Sequence, residues 1–190
     1  MAETTRSLED QLAEFRQRRS VSTPIAGLLA WFAIGICGLI FESDFAKCMS
    51  IFVGTGAIFY VALGVARLIG EDLLGRDRPK NRFDSLFLLA VLQAVSVYSI
   101  AIPFLQIDAT SLPLSVGILT GLMWIPYSWL LGHWVGIFHT SLRTVLILFL
   151  WYGFPESRFV LIPFAIVGVY AITIPILLRQ TGKATPAIPG

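Results

Sequence analysis

Charge is what this chain has least of: of its 190 residues only 14% are Asp, Glu, Lys or Arg, while 56% are hydrophobic. A soluble domain carries about 25% charge, and a globule of this size is mostly surface. The apolar excess cannot be hidden from water, so lipid must cover it. Cysteine is scarce as well, with Cys37 and Cys48 inside or beside apolar runs and at no metal or redox spacing. They read as buried thiols, with a disulfide near the outer face as the alternative. The two histidines, His133 and His139, are six residues apart, which sets their rings about 120° apart on one helix. With no HExxH and no cysteine ligand set, no metal site is expected. The chain also lacks a nucleophile elbow, a Walker loop, a dinucleotide fingerprint and paired catalytic acids. Ser85, Ser99, Ser115 and Ser128 have no evident base partner. An enzyme is therefore the least favoured class, and no cofactor is implied.

What the chain has is a series of apolar runs. Ahead of them, residues 4–19 are polar with one apolar stripe, Leu8, Leu12 and Phe15, at helical spacing. Ser7 and Asp10 resemble a capping box, and the acids Glu9 and Asp10 precede Arg16, Arg18 and Arg19, as the helix dipole favours. A short helix is expected here, packed on the membrane domain or lying among headgroups. An acidic helix before the first apolar run does not fit a cleavable signal peptide.

Spans are expected at 24–41, 49–69, 84–105, 113–131 and 158–178. The second carries small residues, Gly54, Gly56, Ala57, Ala62 and Gly64, suited to close helix approach. Arg67 near its end is expected to reach Glu71 or the headgroups. The polar loop 71–82 holds Arg76, Arg78, Lys80 and Arg82; its basic 76–82 stretch suits anionic lipid. Nucleic acid is not expected, for want of a matching fold or aromatic platform. In the fourth span Gly117 and Gly121 give a GxxxG packing spacing, repeated by Gly132 and Gly136 at the following turn, and Pro126 should kink the helix.

A further span needs an argument. The uninterrupted apolar run 144–154 has 11 residues, too few for a bilayer core that takes about 20. To cross, the helix must begin near Trp134 or Val135 and carry His139 and Arg143 within it. Arg143 then lies roughly 13 Å along, near the midplane, where an arginine costs from about 2.5 to over 10 kcal/mol unless it faces protein or water. Two readings follow. Arg143 snorkels or bonds Asp84, Gln93 and free carbonyls near Pro126; or it is an unpaired cation in a polar pocket with His139, Gln93 and Asp84, completed by an anion.

The expected fold is therefore an all-α polytopic membrane protein, six transmembrane helices with a short N-terminal amphipathic helix. Its parts are the N-terminal helix (1–22), the membrane domain (23–179) and a flexible tail (180–190). With both termini cytoplasmic, the inner segments hold Arg6, Arg16, Arg18, Arg19, Arg76, Arg78, Lys80, Arg82, Arg179 and Lys183, and the outer loops only Lys47 and Arg158. That asymmetry obeys the positive-inside rule.

The stretch 126–144, Pro-Tyr-Ser-Trp-Leu-Leu-Gly-His-Trp-Val-Gly-Ile-Phe-His-Thr-Ser-Leu-Arg-Thr, resembles a family of small bacterial inner-membrane proteins of unknown function, over about residues 51–178. The resemblance implies a bacterial cytoplasmic membrane and a six-helix unit, and assigns no binding residue. Three functional classes remain. Transport or channel-like handling of a small or amphiphilic anion leads; a non-catalytic subunit that binds a partner or a second copy of itself follows; a membrane enzyme is third.

Overall fold

Ser7 starts the first helix, α1 (Leu8–Gln17): its hydroxyl accepts from the Asp10 amide at 3.1 Å and donates to the Asp10 carboxylate. Ten residues are too few for a helix to stand alone in water, so its neighbours must hold it. Phe15 is buried. The Asn81 side-chain amide donates to the Gln11 carbonyl at 2.7 Å, and the Arg82 amide donates to the Gln11 side chain at 3.0 Å. Arg16 Nε donates to the Leu130 carbonyl at 3.1 Å. Of the two fates expected for this helix, packing on the membrane domain is the one found.

The computed structural model describes residues 6–17, 21–73 and 79–181. Arg18, Arg19, Arg76, Arg78 and Lys183 lie outside the described residues, and with them much of the expected lipid-binding loop and tail. After α1 come α2 (Ser22–Ile40), α3 (Asp44–Ile69), α4 (Arg82–Ser96), α5 (Tyr98–Ile107), α6 (Ser111–Leu119), α7 (Trp124–Leu131), α8 (Val135–Gly153) and α9 (Arg158–Thr181). Helices α4 and α5 form one span broken at Val97, and α6 and α7 another, interrupted by a 3-10 turn at Thr120–Met123. Six segments are long and apolar enough to cross a bilayer, so this is an all-α polytopic membrane protein. The fifth starts at Val135, as the crossing argument requires.

The core centres on α2, which packs between α3 and α9 and buries Trp31 and Ile34. At Gly38 a Cβ would meet the Phe159 carbonyl oxygen at 2.3 Å, so only glycine permits this approach of α2 to α9. The small residues of α3 divide. Gly54 lies against Ile34, but a Cβ at Gly56 or Gly64 would meet nothing within 4 Å, so these two do not serve close packing as expected. Glu71 also differs. Its carboxylate accepts from the Val21 and Ser22 amides at 3.2 and 3.1 Å and from the Ser22 hydroxyl at 2.8 Å. It caps α2, where the amide-rich N-terminus favours an anion, rather than pairing with Arg67. Neither cysteine is in a disulfide, and Cys48 is buried.

Helices α3 and α4 follow one another in the chain yet scarcely approach each other. The gap between them leads to Arg143.

Candidate functional site

The site begins with a proline. Pro126 has no amide hydrogen to offer the Leu122 carbonyl, and its ring crowds that carbonyl; the chain there is 3-10 at Thr120–Met123. At the switch the Thr120 amide still bonds the Val116 carbonyl, while the Trp124 amide bonds the Gly121 carbonyl in i,i+3 pairing. The Gly117 carbonyl stands at this change of pairing. Arg143 Nε donates to it at 2.7 Å, and Arg143 Nη2 donates to the Thr120 hydroxyl at 3.0 Å. One turn earlier on α8, the Thr140 hydroxyl donates to the Gly121 carbonyl at 2.9 Å. The glycines give this face room: a Cβ at Gly121 would meet Arg143 Cδ at 3.1 Å, and one at Gly117 would meet the end of the Ile147 side chain at 2.9 Å.

Arg143 is 2% exposed. Trp31 lies under its guanidinium, 5.2 Å from ring centroid to Cζ, and Tyr170 lines the same cavity. Among the described residues no carboxylate forms an ion pair with it. The guanidinium has five donors, and part of it borders a cavity of about 470 Å³. The cavity lies in the gap between α3 and α4, with Phe59 and Ala62 on one side and Phe87, Leu88 and Val91 on the other. Trp31, Trp124 and Tyr127 form its inner wall. At one end Thr23, Leu73 and Asp84 mark a mouth on the α1 side of the bundle. At the other, the hydroxyls of Thr55 and Tyr98 hydrogen-bond from α3 to α5. This is a mostly apolar chamber, of the size that holds a ligand, with one buried cation in its wall.

The four residues singled out in the sequence separate. Arg143 and Asp84 both line the cavity. His139 shares the buried face of α8 with Arg143 but sits behind the inner wall, stacked on Trp124 at 4.1 Å and edge-on to Tyr170 at 4.8 Å. Its Nδ1 is 3.2 Å from the Thr173 hydroxyl, and its buried Nε2 has no hydrogen-bond partner among the described residues. Gln93 is exposed and borders a separate small depression with Ser96, Val97 and Leu119. Nor does Arg143 bond Asp84 or Gln93; it uses the Gly117 carbonyl, nine residues before Pro126, and the Thr120 hydroxyl.

The glycine pair at the turn also divides. Gly136 allows close packing, since a Cβ would meet the Trp124 carbonyl oxygen at 2.1 Å. Gly132 instead takes a left-handed φ of 65° as the C-cap of α7, its amide bonding the Trp129 carbonyl at 3.0 Å. Beyond it His133 Nδ1 accepts from the Val135 amide at 3.1 Å, capping α8. Partial burial pushes the His133 imidazole below its ordinary range.

Trp31, Thr120 and Tyr170 belong to the site and carry little signal in the sequence. Trp31 had one: it stands in the middle of its span, away from the interfacial belts where membrane tryptophans concentrate. Trp129 and Trp134, 61% and 55% exposed near one end of the bundle, are such belt residues.

No curated protein and no solved structure matches the chain. A family model described as a family of unknown function, DUF7010, matches residues 9–180. That span takes in α1, all six membrane segments and the Arg143 site, and the chain belongs to the DUF7010 family.

Proposed function

We propose that this protein sits in a bacterial cytoplasmic membrane with both termini inside, and that it binds and moves a small or amphiphilic anion through the cavity beside Arg143. One observation carries the reading. A guanidinium buried at mid-span, eight residues and about 12 Å into α8, is held by a carbonyl and a hydroxyl, borders a ligand-sized chamber and, among the described residues, pairs with no carboxylate. Such a charge is costly in an apolar surround unless polar groups or an opposite charge meet it. An anion in the chamber supplies that charge. The orientation rests on Arg6, Arg16, Lys80, Arg82 and Arg179, which all belong to the α1 end of the bundle.

The test is ligand-dependent thermal stabilisation of the purified protein by inorganic phosphate, a short carboxylate and an alkyl phosphate. At least one should raise the melting temperature of the wild type, since a ligand that binds only the folded state stabilises it by mass action. Arg143→Leu should remain folded and lose the shift, and Arg143→Lys should keep part of it. Failure of every anion on the well-folded wild type would defeat the reading.

A second reading, a membrane subunit that binds a partner or itself, draws on α3, where Gly56 and Gly64 have open space and Tyr60 is 73% exposed. It is favoured instead if Arg143→Leu leaves anion responses unchanged while substitutions on that face alter the oligomeric state.

A further inference from the structure

The cavity has two approaches, and they differ in chemistry. One is the mouth at Asp84 and Leu73 on the α1 side. The other is the gap between α3 and α4, where residues that line the chamber also face lipid: Phe59 is 45% exposed, Leu88 61% and Val95 57%. Gly56 stands in the same wall with open space where a side chain would be. Consecutive elements of a chain are usually neighbours in space, and these two spans scarcely touch.

A free inorganic anion gains little from such a chamber. It would shed its hydration for one guanidinium, the Thr120 hydroxyl and walls of Phe, Leu, Val and Trp, and desolvating a charge without full replacement is unfavourable. An anion carried on an apolar chain meets a better match. Its chain replaces bilayer lipid along α3 and α4, while its headgroup meets Arg143, Thr120 and Tyr170. The Thr55–Tyr98 hydrogen bond ties α3 to α5 at the far end of the cleft, so the gap can stay open below it without the spans parting altogether.

We propose that the ligand is a lipid-phase amphiphile with a phosphate or carboxylate headgroup, which enters sideways from the bilayer between α3 and α4 and places its headgroup against Arg143. The proposal rests on the anion reading of Arg143 above and adds the source and route of the anion.

The experiment uses the full-length protein in phosphatidylcholine nanodiscs, with dodecyl phosphate, dodecyl phosphocholine and inorganic phosphate as probes and tryptophan fluorescence as the signal, because Trp31 and Trp124 line the chamber. Dodecyl phosphate should bind at least about tenfold more tightly than either other probe, the size of effect expected of one charge-assisted contact. Arg143→Leu should remove that preference. Gly56→Trp, whose side chain has room on the open face of α3, should fill the lateral entrance and weaken dodecyl phosphate binding by a similar factor. Each variant is first checked for monodisperse elution and wild-type helical content.

If inorganic phosphate binds as well as dodecyl phosphate and Gly56→Trp leaves both unchanged, lateral entry is wrong while the anion site stands. Equal binding of dodecyl phosphate and dodecyl phosphocholine, insensitive to Arg143→Leu, shows a merely apolar groove and overturns the proposal. Absence of binding by every probe removes both the proposal and the reading beneath it.

Discussion

At the scale of single residues, the site depends on side chains that are missing as much as on those present. Gly117 and Gly121 leave room on the face where Arg143 reaches the Gly117 carbonyl. Gly136 does the same for the contact of α8 with α7. A methyl there would press on a backbone carbonyl at 2.1 Å, which cannot rotate away as a flexible side chain can. Gly136→Ala is therefore expected to force the helices apart and cost about 2 kcal/mol or more, within the range of overpacked cores. Gly56→Ala is the matched control: with open space at that position, it should be neutral or add up to about 1 kcal/mol through helix propensity. Chemical unfolding in mild detergent, compared for both variants and wild type, measures the difference. Equal stabilities would mean that the close approach of α7 and α8 contributes little. The sequence spacing marks Gly117, Gly121, Gly132 and Gly136 alike as packing residues. Spacing reports a shared helical face, whereas Gly132 lies past the end of α7 with φ at 65°, where its value is conformational.

At the scale of elements, the interruption of the fourth span decides what Arg143 touches. Pro126 is readable as a kink, but the change of pairing upstream of it at Thr120–Met123 is not, because the sequence does not show where helical pairing switches from i,i+4 to i,i+3. Gln93 failed to join the site for a related reason. A span that is apolar on every side has no sequence-readable inner face, so the mid-span position of Gln93 could be read but not its direction. The start of α8 offers a test at this scale. His133 Nδ1 accepts the Val135 amide hydrogen, a bond available only to an unprotonated Nδ1, and burial holds the imidazole below its ordinary value of about 6.5. The folded state thus favours the neutral ring. Its contribution is complete above the ordinary pKa and is lost as pH falls from about 6.5 through the lower folded value. His133→Ala should destabilise the protein at pH 8 by about 0.5 to 1 kcal/mol, as loss of a side-chain cap does. Melting curves recorded from pH 8 to 5 should show the wild type converging on the variant as the pH falls; a constant difference would mean the ring acts by packing alone.

For the whole molecule, six spans and a short N-terminal helix are legible in the sequence, because bilayer thickness sets how long a crossing helix must be; that α1 packs on the bundle is not, and the bundle places α1, the α2 N-terminus and the α4 N-terminus at one end. Which end faces the cytoplasm is a separate question of charge. At the α1 end Arg6, Arg16, Arg67, Lys80, Arg82 and Arg179 gather. At the other, both basic residues have acidic partners, Lys47 with Asp44 at 3.6 Å and Arg158 with Asp108 at 3.9 Å. Arg158 is further held by the Trp151 carbonyl at 2.8 Å and the Thr110 hydroxyl at 2.7 Å, so its charge is largely occupied within the protein. Lys and Arg close to span ends are what resist translocation, and acids count for little, so the proposed orientation puts the α1 end inside. Single cysteines installed as Glu9→Cys or Glu156→Cys, both at exposed positions, with Cys37 and Cys48 replaced by alanine, report on it directly. In intact cells a membrane-impermeant maleimide should label position 156 and spare position 9, and permeabilisation should expose both. The opposite pattern would invert the molecule and turn the mouth at Asp84 away from the cytoplasm, while the gap between α3 and α4, which faces lipid in either orientation, would stay open to an amphiphile from the bilayer.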